Sequence, residues 1–378
     1  MTPRTLSRSH FVFEYLLALP AGALLALVWA NAAGDSYFRV SYAMSFIVNE
    51  VVLVFFFGWI TKEIVEATAP GGLFHPLRRI WWPALAALSG ALTALLLYRF
   101  AVDWLGTPRL VSGWPALFAI DLALGYFVAR VIFGRHAAVT FFLLMAIISN
   151  GVGFIVLAIT HPLRQMNLSA GALLMTLALT SVWMMRLRGV RSFWPYVVVG
   201  GPLSWAALYA AGFHAAFALV PILVFLPHAR RDPGFFVDAA RGARNALDQF
   251  ERWCRVPAQV ALFLFGFVNV GVPLHGMDRG QWALPLAMLA GKPLGVVALA
   301  AIASMSGAAL PRRIHWRELL VIGVISGVGF TLALFFAGVA FPPGQLLTET
   351  RAGALITFVG CGLALASAAI HRVGRFAR

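Results

Sequence analysis

The stretch GWPALFAIDLALG, residues 113–125, is apolar enough to lie inside a bilayer, yet Pro115 and Asp121 interrupt it. Proline removes a backbone N–H and clashes with the preceding turn. A carboxylate in hydrocarbon is expensive unless something bonds it. A second stretch, VISGVGFTLALF (324–335), carries Gly327, Gly329 and Thr331 in the middle of another apolar run. Interrupted apolar segments, one in each half of a chain, are the sequence pointer to a transporter site built from broken helices. A broken helix exposes N–H groups at one end and C=O groups at the other. These ends act as partial charges of opposite sign. A crossing of two such helices is stabilised by an acid near the positive ends and a base near the negative ends.

The rest of the chain is what such a crossing needs around it. Of its 378 residues, 61% are hydrophobic and 11% charged, with a mean hydropathy of +0.85. A soluble domain has about 45–50% apolar and about 25% charged residues. Apolar segments near the length of a membrane-crossing helix recur from end to end. The sequence predicts twelve, at roughly 11–33, 43–62, 80–101, 114–132, 137–160, 169–187, 193–212, 214–227, 256–274, 282–305, 318–341 and 351–371. The fourth and eighth are short or interrupted. The expectation is an all-α integral membrane protein forming a single multi-pass domain over residues 1–378. Its longest connection, about 228–255, reads as a cytoplasmic amphipathic helix, with Phe235, Phe236, Ala239, Ala243, Leu247 and Phe250 at helical spacing among Arg and Asp.

The net charge of +15 sets orientation rather than marking a nucleic-acid site. Twelve spans place alternate loops on opposite sides, and the termini with the even-numbered loops hold 22 of the 29 Lys and Arg. The other side holds 6, and Lys292 lies inside a span. This bias puts both termini in the cytoplasm and favours anionic lipid headgroups as partners. Cys254 and Cys361 stand far apart, without metal spacing. There is no Gly-rich phosphate loop, nucleophile elbow or His/Glu zinc motif. No cofactor, metal or enzymatic activity is expected, and any driving force is an ion gradient.

Few ionisable residues lie well inside the spans: Glu50, Asp121, His214 and Lys292, with Glu14 near the start of the first. Such residues are functional candidates by default. Lys292, in LAGKPLGVV, is the sharpest. The chain has only one other lysine, Lys62, which falls at a membrane edge. A chain so biased to Arg that keeps a mid-membrane lysine points to a need for a compact ammonium. Asp121 is its natural counter-charge, or serves only the exposed N–H groups of the broken helix. Glu50, in FIVNEVVLVFFF, is a candidate for an access funnel. His214, in AAGFHAAFAL, is a candidate pH sensor.

With these residues in place the chain resembles the NhaA-type sodium/proton antiporters. The similarity runs from about residue 14 to 372 and rests on VFFFGWITKEI (54–64), GWPALFAIDLALG, FLLMAIISNGVGFIVL (142–157), GFHAAFALVPILVFLP (212–227), FLFGFVNVGVPLHG (263–276), GKPLGV (291–296) and GVISGVGFTLALFFAGVAF (323–341). The resemblance implies an inverted repeat with two broken crossing helices, in a bacterial-type inner membrane. It implies small cations and protons as partners, exchanged on an adjacent pair of aspartates in the fifth span. At those positions this chain has Ser149 and Asn150. A threonine before the fourth-span acid is here Ile120, and the family's GLE glutamate is matched by Ile60, with Glu63 and Glu66 nearby. Asp121, Lys292 and an acid at Glu50 are kept. Ser and Asn do not ionise near neutral pH, so cation exchange is expected to be altered or lost. Two alternatives stay open: a proton-coupled anion or weak-acid transporter using Lys292, and a transport-inactive sensor or partner subunit. The family's β-hairpin between the first two spans helps form a homodimer, and the connection at 33–44 is too short to hold it.

Overall fold

The computed structural model describes residues 4–68, 80–134, 136–162, 166–227, 245–273, 278–306 and 314–376, with side chains from residue 18 onward. Every regular element among them is helical. Six helices are long and apolar enough to cross a membrane, and eight are if each of two bent pairs is one span. The bent pairs are Pro108–Phe118 with Leu122–Phe133, at 58°, and Trp316–Ser326 with Phe330–Ala340, at 45°. These are the two interrupted stretches on which the sequence reading turns. The other expected segments correspond to the shorter apolar helices Ala18–Ala32 and Tyr196–Ala210, to the short turns Ala215–Phe217 and Leu219–Leu223, and to Ala246–Asn269.

The last of these departs from expectation. Residues 228–244, with Phe235, Phe236, Ala239 and Ala243, lie outside the described residues. From Ala246 onward, the supposed interfacial segment and the ninth span are one continuous helix, Ala246–Asn269, with Pro257 inside it. Leu247, Phe250, Cys254, Ala258, Ala261 and Phe265 are all buried. Their three- and four-residue spacing is a single buried stripe along the helix, continuous through the boundary at 255/256 that the sequence suggested.

The chain divides into two compact units. The first comprises Met1–His75 and Pro162–Gly271; the second comprises Pro76–His161 and Val272–Arg378. In the first unit Arg4–Ala32 packs along Ala246–Asn269. Ala33 alone separates Arg4–Ala32 from the next helix, Gly34–Phe46. The Tyr37 hydroxyl donates to Phe267 O at 2.7 Å and accepts from Gly271 N at 3.1 Å. Gly34–Phe46 runs through a π turn, Ile47–Val52, into Leu53–Thr68.

In the second unit Trp81–Trp104 packs against Lys292–Met305. Gly291 and Gly295 flank Lys292 and make this approach possible. A Cβ on Gly291 would lie 2.5 Å from Ala94 Cα, and one on Gly295 would lie 2.4 Å from Ser89 O. A π turn, Ala287–Gly291, immediately precedes the lysine. Such turns insert one residue into a helix and re-aim the side chains that follow.

Candidate functional site

Residues 119–121 and 327–329 are the two breaks, both in the second unit, and they meet. Asp121 N donates to Val328 O at 2.7 Å. The Asp121 side chain then serves two helix starts. Oδ1 accepts from Leu124 N at 2.9 Å, capping Leu122–Phe133. Oδ2 accepts from Thr331 N at 2.9 Å, in the first turn of Phe330–Ala340, and from the Thr331 hydroxyl. A carboxylate at two positive helix ends is where anionic charge is most stabilised. The Thr357 hydroxyl helps by accepting from Gly329 N at 3.3 Å.

Lys292 does the converse. Its ammonium donates to Ala119 O, just past the end of Pro108–Phe118, and to Ser326 O at 3.1 Å, the last residue of Trp316–Ser326. One cation therefore serves two carbonyl ends. Asp121 and Lys292 are each 1% exposed. Among the described residues no ion pair joins them. Each spends its charge on backbone dipoles.

Ser149 and Asn150 lie on Ala137–Thr160, both buried. The Asn150 amide bonds both backbone polar groups of Ile120: Oδ1 accepts from Ile120 N at 2.8 Å, and Nδ2 donates to Ile120 O at 2.9 Å. Ser149 Oγ donates to Phe118 O at 2.7 Å. Buried backbone groups must find partners, and through this break they all do. Phe118 O has Ser149, Ala119 N has Ala116 O, and Ala119 O has Lys292. Both Ile120 groups have Asn150, Asp121 N has Val328 O, and Asp121 O has Gly125 N. The four residues singled out by sequence converge on one stretch of unwound chain, and the neutral pair is part of its bonding.

Glu50 and His214 lie together in the first unit. Glu50 Oε1 is 2.7 Å from His214 Nδ1, and Glu50 Oε2 accepts from Ala215 N at 2.8 Å. Trp205 Nε1 donates to Glu50 O at 2.8 Å. Glu50 sits within the π turn Ile47–Val52, so both this acid and Lys292 are associated with π turns.

Sequence reasoning missed Lys62. It is wholly buried in the first unit, 2.9 Å from Glu66 Oε2, 2.9 Å from Glu251 Oε2 and 3.3 Å from Glu63 Oε1. The signal was available, because the only two lysines in the chain are both buried side chains holding several oxygens.

Comparison with known proteins gives consistent results. The profile of the family described as Na+/H+ antiporter 1 matches residues 15–369. A protein named Na(+)/H(+) antiporter NhaA from Desulfitobacterium hafniense is 37% identical over 367 residues, covering 94% of each chain. Na(+)/H(+) antiporter NhaA 1 from Pelobacter propionicus is 35% identical over 374 residues, 96% of this chain and 97% of the relative. The protein named NhaA from Geobacter sulfurreducens is 35% identical over 359 residues, 93% of this chain and 94% of the relative.

Proposed function

Because the chain belongs to the Na+/H+ antiporter 1 family, we propose that it is a secondary transporter of that fold whose cation exchange at the helix crossing is altered or lost. The observation that carries this reading is the two-point bond between Asn150 and the Ile120 backbone. An aspartate at this position would accept from Ile120 N in the same way. Its second oxygen would then face Ile120 O at about the 2.9 Å now spanned by the amide donor. Two oxygens that close need a proton or a cation between them. Asparagine supplies its own donor, so the place is filled without either. The Ser149–Asn150 pair itself offers no titratable group that could exchange one for the other.

Lys292 supports this reading over anion transport. Its N–H groups reach two carbonyl ends, which leaves at most one for a solute. Asp121 and Lys292 act as helix-end compensators, while Ser149 and Asn150 close the backbone between them. Glu50 with His214 is the remaining polar pair of interest, a candidate for access or pH response. The protein sits in a bacterial-type inner membrane with both termini cytoplasmic and basic loops on anionic headgroups. A transport-inactive sensor or partner subunit is the second reading, favoured by the closed break.

Proteoliposomes loaded with a pH-sensitive dye test the proposal. Sodium, lithium, potassium, chloride and small carboxylates are added in turn. The native protein is expected to give no cation-driven proton signal through the crossing. The double variant Ser149→Asp with Asn150→Asp is expected to give one with sodium or lithium. A native sodium signal abolished by Lys292→Ala or Asp121→Asn would overturn the proposal. An anion signal abolished by Lys292→Ala would favour the weak-acid alternative.

A further inference from the structure

The last span, Gln345–Phe376, touches both bent pairs of the second unit. At its middle the Thr357 hydroxyl accepts from Gly329 N at 3.3 Å. Gly360 leaves room there for the same break, since a Cβ on it would lie 2.8 Å from Val328 Cγ2. The far end of the span reaches the other pair: its closing turn, Gly374–Phe376, packs against Leu122–Phe133. All of these residues belong to the second unit.

The chain arrives there by an unusual exit. Helix Val359–Ile370 closes with Arg372 N donating to Ala369 O at 3.3 Å and Val373 N to Ala368 O at 2.9 Å. That pair of bonds is a common helix end, and it needs a left-handed residue, ordinarily glycine, at the exit. Here the residue is Arg372, with φ 52°, and no other non-glycine residue among the described residues has a positive φ. A side chain in this conformation is strained and persists only where its surroundings hold it. The next two residues supply that hold. Val373 is 3% exposed. Gly374, with φ 63°, lies so near the end of Leu122–Phe133 that a Cβ on it would collide with Ile132 O. The glycine stands where backbone meets backbone, and the arginine takes the turn.

The place so contacted is the joint between two helices of the crossing. Gly134 N donates to Arg130 O at 3.0 Å, and the Arg130 guanidinium donates to Gly134 O at 2.6 Å, which closes Leu122–Phe133. His136 N donates to Phe133 O at 3.1 Å. The His136 ring stacks on Phe133 and accepts from Ala138 N at 3.3 Å, which starts Ala137–Thr160. Asp121 caps the first of these helices, and the second carries Ser149 and Asn150. The end of a helix presents carbonyls and partial negative charge. The segment laid on it contains Arg372 and Arg375 and no acid.

We infer that residues 373–376 are a latch: they fasten the joint between Leu122–Phe133 and Ala137–Thr160, and so hold the far end of the broken helix that Asp121 caps. In the proposed orientation this is its cytoplasmic end. Transporters with broken helices change access by moving one bundle against another. A clasp on the joint of two crossing helices sets how freely that end moves. The latch acts whether or not ion exchange survives at Ser149 and Asn150, because none of its contacts involves them.

The test is hydrogen exchange of the full chain in detergent, read by mass spectrometry. The amides of Gly134, His136 and Val139, all hydrogen-bonded at the joint, are expected to exchange slowly in the native protein. Gly374→Val has no room beside Ile132 O, and Val373→Asp puts a charge in a buried place. Each should raise exchange over residues 130–139 at least about tenfold, as expected when a local opening is released. Leu53–Thr68 in the first unit should not change. Arg372→Gly relieves the left-handed strain and keeps the contact, so it should leave exchange at the joint as slow as in the native protein or slower. An increase confined to residues 371–376 would show a tail that lies on the joint without fastening it, and overturns the inference. So does an increase over the whole chain in both variants, which would make the tail a general support of the fold, and so does no increase at all.

Discussion

The two lysines of this chain sit in opposite kinds of site. In the second unit Lys292 bonds backbone carbonyls at two helix ends, with no carboxylate paired to it. In the first unit Lys62 is surrounded by the carboxylates of Glu63, Glu66 and Glu251. Both side chains are essentially inaccessible. One lysine neutralises partial charges fixed by the fold, and the other neutralises formal charges carried by side chains. The first kind of site does not depend on pH as long as the ammonium survives. The second changes with every proton its carboxylates take up. Buried charge therefore answers to architecture in one unit and to ionisation in the other.

The sharpest way to break this contrast is Lys62→Met. It takes the shared ammonium away from the three buried acids Glu63, Glu66 and Glu251. Removing one partner of a buried pair typically costs about 3–5 kcal/mol, and this is the largest loss expected here. Thermal unfolding in detergent should show it, and lowering the pH should recover much of it, because protonated carboxyls no longer repel. The sign follows from linkage: protonation removes like charges that the fold holds close together and the unfolded chain does not, so acid favours folding of this variant. An equal loss at every pH would mean that the cluster is not governed by ionisation.

Lys292→Ala removes donors from Ala119 O and Ser326 O. Each buried carbonyl left without a partner costs about 1–3 kcal/mol, and some of that is recovered by relaxation at the break. A total of about 2–4 kcal/mol, measured by the same unfolding, is expected. Lowering the pH should not restore it, because carbonyls do not protonate in this range. Acid rescue comparable to that of Lys62→Met would erase the distinction between the two sites.

How much of this was legible in the sequence follows the same division. Asp121 and Lys292 stood out because a charge in an apolar stretch is rare, and the broken helices predict what each should cap. In the structure Asp121 bonds two helix starts and Lys292 two carbonyl ends. Ser149 and Asn150 were legible as residues out of place, but their bonds were not. That Asn150 would match both polar groups of Ile120 depends on how closely two helices approach, which composition does not encode. The Glu50–His214 contact spans 164 residues and had no local signature. Lys62 was passed over because a lysine near a span boundary ordinarily snorkels to water, whereas this one is buried among three carboxylates. The bias to Arg argued against that for both lysines alike. The π turn before Lys292 left no mark in the pattern of apolar residues. Ala246–Asn269 runs as one helix through the boundary that charge alone suggested, because its buried stripe is continuous.

The smallest effect tests the weakest member of the crossing. Ser149 contributes one neutral hydrogen bond, from its hydroxyl to Phe118 O, at the end of Pro108–Phe118. Ser149→Ala removes that donor, but Lys292 still holds the neighbouring carbonyl of Ala119. The backbone stays anchored, and the cost should be about 1 kcal/mol, near that of an ordinary neutral hydrogen bond. Asn150→Leu removes both bonds to Ile120 in one step and should cost more than Ser149→Ala in the same measurement. If the two variants cost the same, the break is held by its charged residues and not by its neutral pair. Asn150 would then have no structural part of its own at the break.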